Sequence, residues 1–155
     1  MSFVSSLQFH NQNTVADLEE GAEFAPKFGA DGLITCIITD HASGRVVMVA
    51  HMNQDALAKT LETRLATYWS RSRQKLWVKG ETSGHTQHVE RMQVDCDQDV
   101  LLIGVTTAGS GANCHTGRTS CFYRDVDLDG DGGRPDLTTT DQTRHFDPSV
   151  VYKSD

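Results

Sequence analysis

Leu33-Ile34-Thr35-Cys36-Ile37-Ile38-Thr39 and Val46-Val47-Met48-Val49-Ala50 are two short apolar runs dominated by β-branched side chains. Such residues pack well on a pleated surface and lose rotamer freedom in a helix, so both runs read as strands. The segment between them, Asp40-His41-Ala42-Ser43-Gly44, is rich in residues that tolerate tight backbone geometry, which makes the pair a hairpin. Just beyond it, Asn53 is positioned to cap a helix running to about Arg64, with Leu57, Leu61 and Leu65 recurring along one face.

Further strands follow. From Thr67 to Lys79, strict alternation puts Trp69, Arg71, Arg73, Lys75, Trp77 and Lys79 on one side, provided the period survives a turn near Arg73-Gln74. His88 to Val94 and Val100 to Val105 read as two more strands, separated by the acidic stretch Asp95 to Asp99. Upstream, Val15, Leu18 and Ala22 suggest a short helix. Beyond Arg124 the composition turns to Asp, Gly and Thr, so residues 125–155 read as a polar acidic tail, loosely attached to a domain over residues 1–124. The expected class is mainly β with one or two helices, an α+β fold.

A chain of 155 residues suits one domain, and its net charge of -7 disfavours bulk nucleic acid or an anionic membrane as a partner. A small anionic substrate fits better. No apolar run approaches the ~18 residues of a spanning helix, and Met1 to His10 lacks the features of a signal peptide, so the expected location is the cytoplasm. In a reducing compartment, Cys36, Cys96, Cys114 and Cys121 point toward metal binding or reactivity more than toward disulfides.

Asp95-Cys96-Asp97-Gln98-Asp99 is the most informative pentapeptide. An extended backbone would send the three carboxylates to one face and Cys96 to the other, separating ligands suited to Mg²⁺ from one suited to zinc. A solvated acidic loop is the plainer alternative. Cys114 and Cys121 bracket a polar loop containing His115 and Gly117; with Cys96 they make three thiolates, the number that leaves catalytic zinc one open position. Three small buried cysteines would account for the same spacing. Cys36 sits in an apolar strand and reads as core.

Arg71 and Arg73 are candidates for gripping substrate phosphate, against the alternative of a charged edge strand protected from aggregation. His85, closing the segment Gly80-Glu81-Thr82-Ser83-Gly84-His85, either exchanges protons near neutral pH or simply hydrogen-bonds in a turn. Asp125, Asp127, Asp129, Gly130 and Asp136 follow the outline of a Ca²⁺ loop, but Asp replaces the final Glu and Pro135 breaks any exiting helix. A solvated acidic turn is the better reading there.

Taken together, Met48 to Asn53, Tyr68 to Arg73, Leu76 to His85, Asp95 to Asp99, and Cys114 to Gly117 with Ser120 to Phe122 resemble the phosphoribosyl-AMP cyclohydrolase family of histidine biosynthesis. The similarity covers residues 32–124, after an N-terminal lead of 1–31. It implies a hydrolase that opens the adenine ring of N1-(5-phosphoribosyl)-AMP between N1 and C6, giving the formimino-carboxamide ribonucleotide. It also implies Mg²⁺ on Asp95, Asp97 and Asp99, and one zinc per subunit on Cys96 from one copy with Cys114 and Cys121 from its partner. Because imidazole titrates near working pH, His115, adjacent to a zinc thiolate, and then His85 are the candidates for moving protons during addition and N1–C6 cleavage. The implied fold is a barrel-like antiparallel subunit in an intertwined homodimer.

Three positions depart from the common pattern: Gln98 and Arg64 stand where Gly is frequent, and Asn113 where Ala is. The 31-residue stretch from 125 is too short for the fused helical pyrophosphohydrolase found in some relatives, so a monofunctional enzyme is expected. Two rivals remain: a zinc-dependent purine deaminase, whose combined signature of H-x-E with P-C-x-x-C is missing because no P-C-x-x-C occurs, and a noncatalytic metal- or nucleotide-binding module.

Overall fold

The computed structural model describes residues 14–130 and 132–152; the expectation for Met1 to His10 lies outside them. The opening hairpin forms as its sequence demands, with β1 (Ile34–Asp40) antiparallel to β2 (Val46–Met52). Helix α2 (Gln54–Thr63) follows directly. Asn53 caps it by accepting from the Ala56 amide at 2.8 Å, and Arg64 ends it in the left-handed region at φ 63°. That left-handed stop explains why Gly is common at this position. The short upstream helix α1 (Val15–Glu20) carries a reciprocal capping box between Thr14 and Asp17.

The main sheet has the order β2-β1-β6-β5, where β5 is Gln87–Val94 and β6 is Val100–Thr107. It is open and mixed: β6 lies parallel to β1, while the other pairings are antiparallel. The expected barrel closure is therefore not found in the single chain. The chain leaving α2 meets β5 only around the isolated Leu65–His88 bridge, then β3 (Thr67–Ser70) turns away into its own hairpin with β4 (Lys75–Val78). Four strands are too few to close on themselves without that ladder.

One face of the sheet carries the core. Ile34, Cys36 and Ile38 of β1 align with Met52, Ala50 and Met48 of β2 and with Leu101 and Ile103 of β6, under Leu57 of α2 and Tyr68 of β3. The opposite face is also apolar in part. In one register row, Val49 and Leu102 flank Ile37, and both flanking side chains are exposed.

The hairpin β3–β4 corrects the alternation expected across residues 67–79. Tyr68 pairs with Trp77 and Trp69 with Leu76, so the turn at Arg71 to Gln74 shifts the parity and separates the two tryptophans onto opposite faces. Tyr68 and Trp77 share a face, their ring centroids 5.6 Å apart. Beyond Arg124 the chain forms a small hairpin, β7 (Arg124–Val126) with β8 (Leu137–Thr139), and ends in the single-turn helix α3 (Pro148–Val151). Among the described residues, no helix is long and apolar enough to cross a membrane.

Candidate functional site

The loop from Cys114 to Cys121 is held from below and from the side. Asn113, only 3% exposed, is its anchor: its Oδ1 accepts from Gln87 Nε2 and from Thr107 Oγ1, both at 2.8 Å, while its Nδ2 donates to the Thr119 carbonyl at 3.0 Å. Alanine, the common residue here, has none of these groups. Farther along, Ser120 Oγ donates to the Val46 carbonyl and the Cys121 amide to the Val47 carbonyl, pinning the loop's end on β2.

These restraints bring the Cys114 and Cys121 thiols close enough to influence each other's ionisation. Cys121 beside it, and then Thr116, hold the Cys114 thiol down to about 5, against the opposing effect of burial; the shared proton and burial push Cys121 the other way. The pair thus releases a first proton readily and a second with difficulty, unless a cation stabilises both thiolates. Cys96 is exposed on the β5–β6 turn, and no trio containing a cysteine gathers among the described residues. Two thiols of the predicted set meet within the chain; the third does not join them.

Asp95, Asp97 and Asp99 do converge, with one ligand oxygen from each lying within 4.8 Å of the others. The cause differs from the extended alternation expected from the sequence. Residues 95–99 form a turn in which Asp95 Oδ1 accepts from the Asp99 and Val100 amides, each at 3.0 Å, and Gln98 adopts φ 60°. That backbone explains the preference for Gly at 98. Here Gln98 compensates by burying its amide against the N-terminal segment: Oε1 accepts from the Ala25 amide at 2.8 Å and Nε2 donates to the Leu18 and Glu23 carbonyls. Hydrogen bonding to Asp95 and then Asp97 pushes the Asp99 carboxyl up to about 6, so the trio gives up its last proton less readily than isolated carboxylates, and a bound cation would ease that loss. Hard oxygens in this number suit Mg²⁺, and paired thiolates suit zinc, so both donor sets fit the metals expected of them.

A cavity of about 720 Å³ opens beside the thiol loop, with Cys121, His115, Lys79, Arg73, Trp77 and Tyr152 among its lining residues. His115 is exposed on its wall. Arg73 also borders a second groove of about 470 Å³ that includes Arg71, so the β3–β4 turn sets Arg73 on both and Arg71 on the second. His85 lies behind the wall: its Nε2 pairs with Ser110 Oγ at 2.7 Å, and its ring stacks on Phe146 with centroids 5.1 Å apart. Burial, then the Lys79 charge, hold His85 below the usual imidazole range.

Lys79 was missed as a site residue. It is 7% exposed, its Nζ donates to the Asn113 carbonyl at 2.6 Å, and it lies over the Trp77 ring. Burial lowers its pKa, opposed by the nearby Cys121 and Cys114. Its place next to Gly80, whose φ of 84° allows the turn to fold back on His85, was the available signal. The Ca²⁺-like stretch forms the β7–β8 hairpin, and among the described residues only Asp95, Asp97 and Asp99 gather as a carboxylate trio.

Convergent thiols, a buried lysine and an imidazole at one polar cleft, with a carboxylate trio whose Asp99 borders a separate groove, belong to the class of enzyme sites. The phosphoribosyl-AMP cyclohydrolase family matches residues 48–123. Relatives named phosphoribosyl-AMP cyclohydrolase include one from Rhodopseudomonas palustris (strain HaA2), 57% identical over 136 residues, spanning 88% of this chain and 90% of the relative. Another, from Chelativorans sp. (strain BNC1), is 61% identical over 121 residues, 78% of this chain and 86% of its own. A third, from Sinorhizobium fredii, is 53% identical over 137 residues, covering 88% and 89%. The chain belongs to the phosphoribosyl-AMP cyclohydrolase family, a family of hydrolases.

Proposed function

We propose that this protein is a cytoplasmic, zinc- and magnesium-dependent homodimer that hydrolyses the N1–C6 bond of N1-(5-phosphoribosyl)-AMP in histidine biosynthesis. The observation that carries this reading is the thiol pair Cys114–Cys121 at the edge of a cleft that also presents Arg73, Lys79 and His115. When bound, zinc lowers the pKa of water toward neutrality and magnesium neutralises phosphate charge.

The chain's own residues supply the rest. Arg71 and Arg73, exposed on one turn, offer planar donor forks that match phosphate oxygens. N1 substitution gives the adenine ring cationic character and makes C6 electrophilic. His115, on the cavity wall, takes a proton as the C6–O bond forms and returns one to N1 as the N1–C6 bond breaks. His85, paired with Ser110 Oγ at 2.7 Å, is the second candidate for moving protons.

Two features support a homodimer. Cys96 is exposed and outside the Cys114–Cys121 pair, so a second copy is the natural source of a third thiolate for each pair. The row Val49–Ile37–Leu102 offers an apolar sheet face to cover, and full enclosure of the sheet would then be an intersubunit property.

The test is to incubate the purified protein, loaded with both metals, with phosphoribosyl-AMP and follow the ultraviolet change of ring opening alongside ammonia release. Ring opening without ammonia is expected. Ammonia would identify a deaminase, and no reaction a noncatalytic binding module.

A further inference from the structure

The polar tail does not trail from the domain; residues 141–146 are fastened across the thiol loop. The His145 amide donates to the Gly117 carbonyl at 2.7 Å, His145 Nε2 pairs with Thr119 Oγ1 at 2.8 Å, and Arg118 Nε donates to the Asp141 carbonyl at 2.9 Å. Gly117 is shaped for this contact: a Cβ there would stand 2.4 Å from the Phe146 carbonyl oxygen. The loop bearing Cys114 and His115 therefore has a residue whose missing side chain admits the segment.

Two aromatic contacts then carry the chain to the cleft. Phe146 stacks on His85, and Tyr152 packs at a tilt against Phe146 with centroids 5.9 Å apart. Tyr152 lines the large cavity together with Trp77, Arg73, Lys79, His115 and Cys121. The cavity's cations suit phosphate, but a purine also presents two flat π faces, which aromatic side chains bind by stacking irrespective of hydrogen-bond pattern.

We propose that residues 141–152 form a wall of the substrate site, in which Tyr152, braced by Phe146, supplies an aromatic surface for the base of the nucleotide. This rests on the nucleotide substrate proposed above. It assigns Tyr152 to binding and Phe146 to positioning, and gives neither a part in proton transfer.

The test uses the full chain loaded with zinc and magnesium. Tyr152→Ala is expected to raise KM for phosphoribosyl-AMP about ten-fold while kcat stays within about two-fold, the signature of lost uniform binding. Tyr152→Phe should recover most of that loss, because the ring remains. Phe146→Ala should raise KM in the same direction with zinc content unchanged. AMP binding, read by tryptophan fluorescence, provides a second measure and should weaken in parallel in Tyr152→Ala. Unaltered KM and AMP affinity in Tyr152→Ala would overturn the wall. Failure of the wild-type protein to open the ring, with AMP binding still weakened by Tyr152→Ala, would overturn the reaction and leave the wall standing.

Discussion

Gln87 Nε2 donates to Asn113 Oδ1 at 2.8 Å, joining the first residue of β5 to the anchor of the thiol loop. Both residues are buried, and Gln87 also accepts from the Tyr68 hydroxyl at 2.6 Å. One amide therefore connects the core, the sheet and the site. Gln87→Leu keeps comparable volume but removes partners from the Tyr68 hydroxyl and shortens the set around Asn113. An unsatisfied buried polar group costs about 1–3 kcal/mol. Urea unfolding is expected to show destabilisation in that range or above it, accompanied by weaker zinc retention. Unchanged stability would mean these groups find other partners.

Much of this was legible in the sequence because local chemistry and tertiary demand agreed. The β1–β2 hairpin and the capped helix after Asn53 needed only β-branched runs, a turn and a cap. Tertiary context decided the rest. Alternation across residues 67–79 failed because the parity of a hairpin depends on how its turn is paired, which no residue in the strands specifies. The carboxylate trio was found for an incomplete reason: convergence comes from a turn with Gln98 in the left-handed region, at a position where the sequence lacks the customary Gly. Lys79 depends on a contact with the distant Asn113 carbonyl and had only its neighbour Gly80 as a signal, while the docking of residues 141–152 left no sign in a polar composition.

The ends of α2 make a second prediction. Asn53→Ala removes the acceptor for the Ala56 amide and should cost about 1 kcal/mol. Arg64→Gly should act in the opposite sense. It relieves a left-handed cost of roughly 1 kcal/mol while giving up the Nε contact to the Val89 carbonyl at 3.3 Å. A small net gain in thermal stability is expected, and a loss would show that the Val89 contact outweighs backbone relief.

His85 provides the pH dependence. Burial and then the Lys79 charge depress its pKa below the ordinary 6.5, so in the interval beneath 6.5 the unfolded chain binds a proton that the folded chain refuses. Its contribution is present above the unfolded value and is lost as pH falls through the folded one. His51, depressed mainly by burial, acts with the same sign. Stability should therefore decline as the pH drops below about 6.5, and His85→Gln should make that decline shallower without abolishing it. NMR titration of the wild-type imidazoles would locate His85 directly; titration at or above 6.5 would contradict its depressed pKa.

The cysteines should separate by reactivity in metal-free protein. Burial pushes the Cys36 thiol up to about 12, whereas Cys96 and Cys121 are exposed and Cys114 is held down to about 5 chiefly by its neighbour Cys121. Because the thiolate is the nucleophile, a disulfide reagent near neutral pH should label Cys96 and the Cys114–Cys121 pair and spare Cys36 until the chain unfolds. Zinc should protect all three labelled positions. Protection of the pair without protection of Cys96 would argue against Cys96 as a ligand.

Shared ligation makes a sharper prediction, because two different defects can complement each other. In a homodimer whose sites each take Cys96 from one copy and Cys114 with Cys121 from the other, Cys96→Ala and Cys114→Ala homodimers both lose every complete site. A mixed dimer behaves differently. One of its sites combines both lesions, while the other draws the intact Cys96 of one copy and the intact Cys114 of its partner. Unfolding an equal mixture and refolding it together should give half mixed dimers by chance, each with one complete site. Activity and bound zinc should therefore return to about a quarter of the wild-type level. Mixing without refolding should restore less, since intertwined subunits exchange slowly. If co-refolded mixtures remain as inactive as the separate variants, each subunit must assemble its own ligands, and the exposed Cys96 would need a different role.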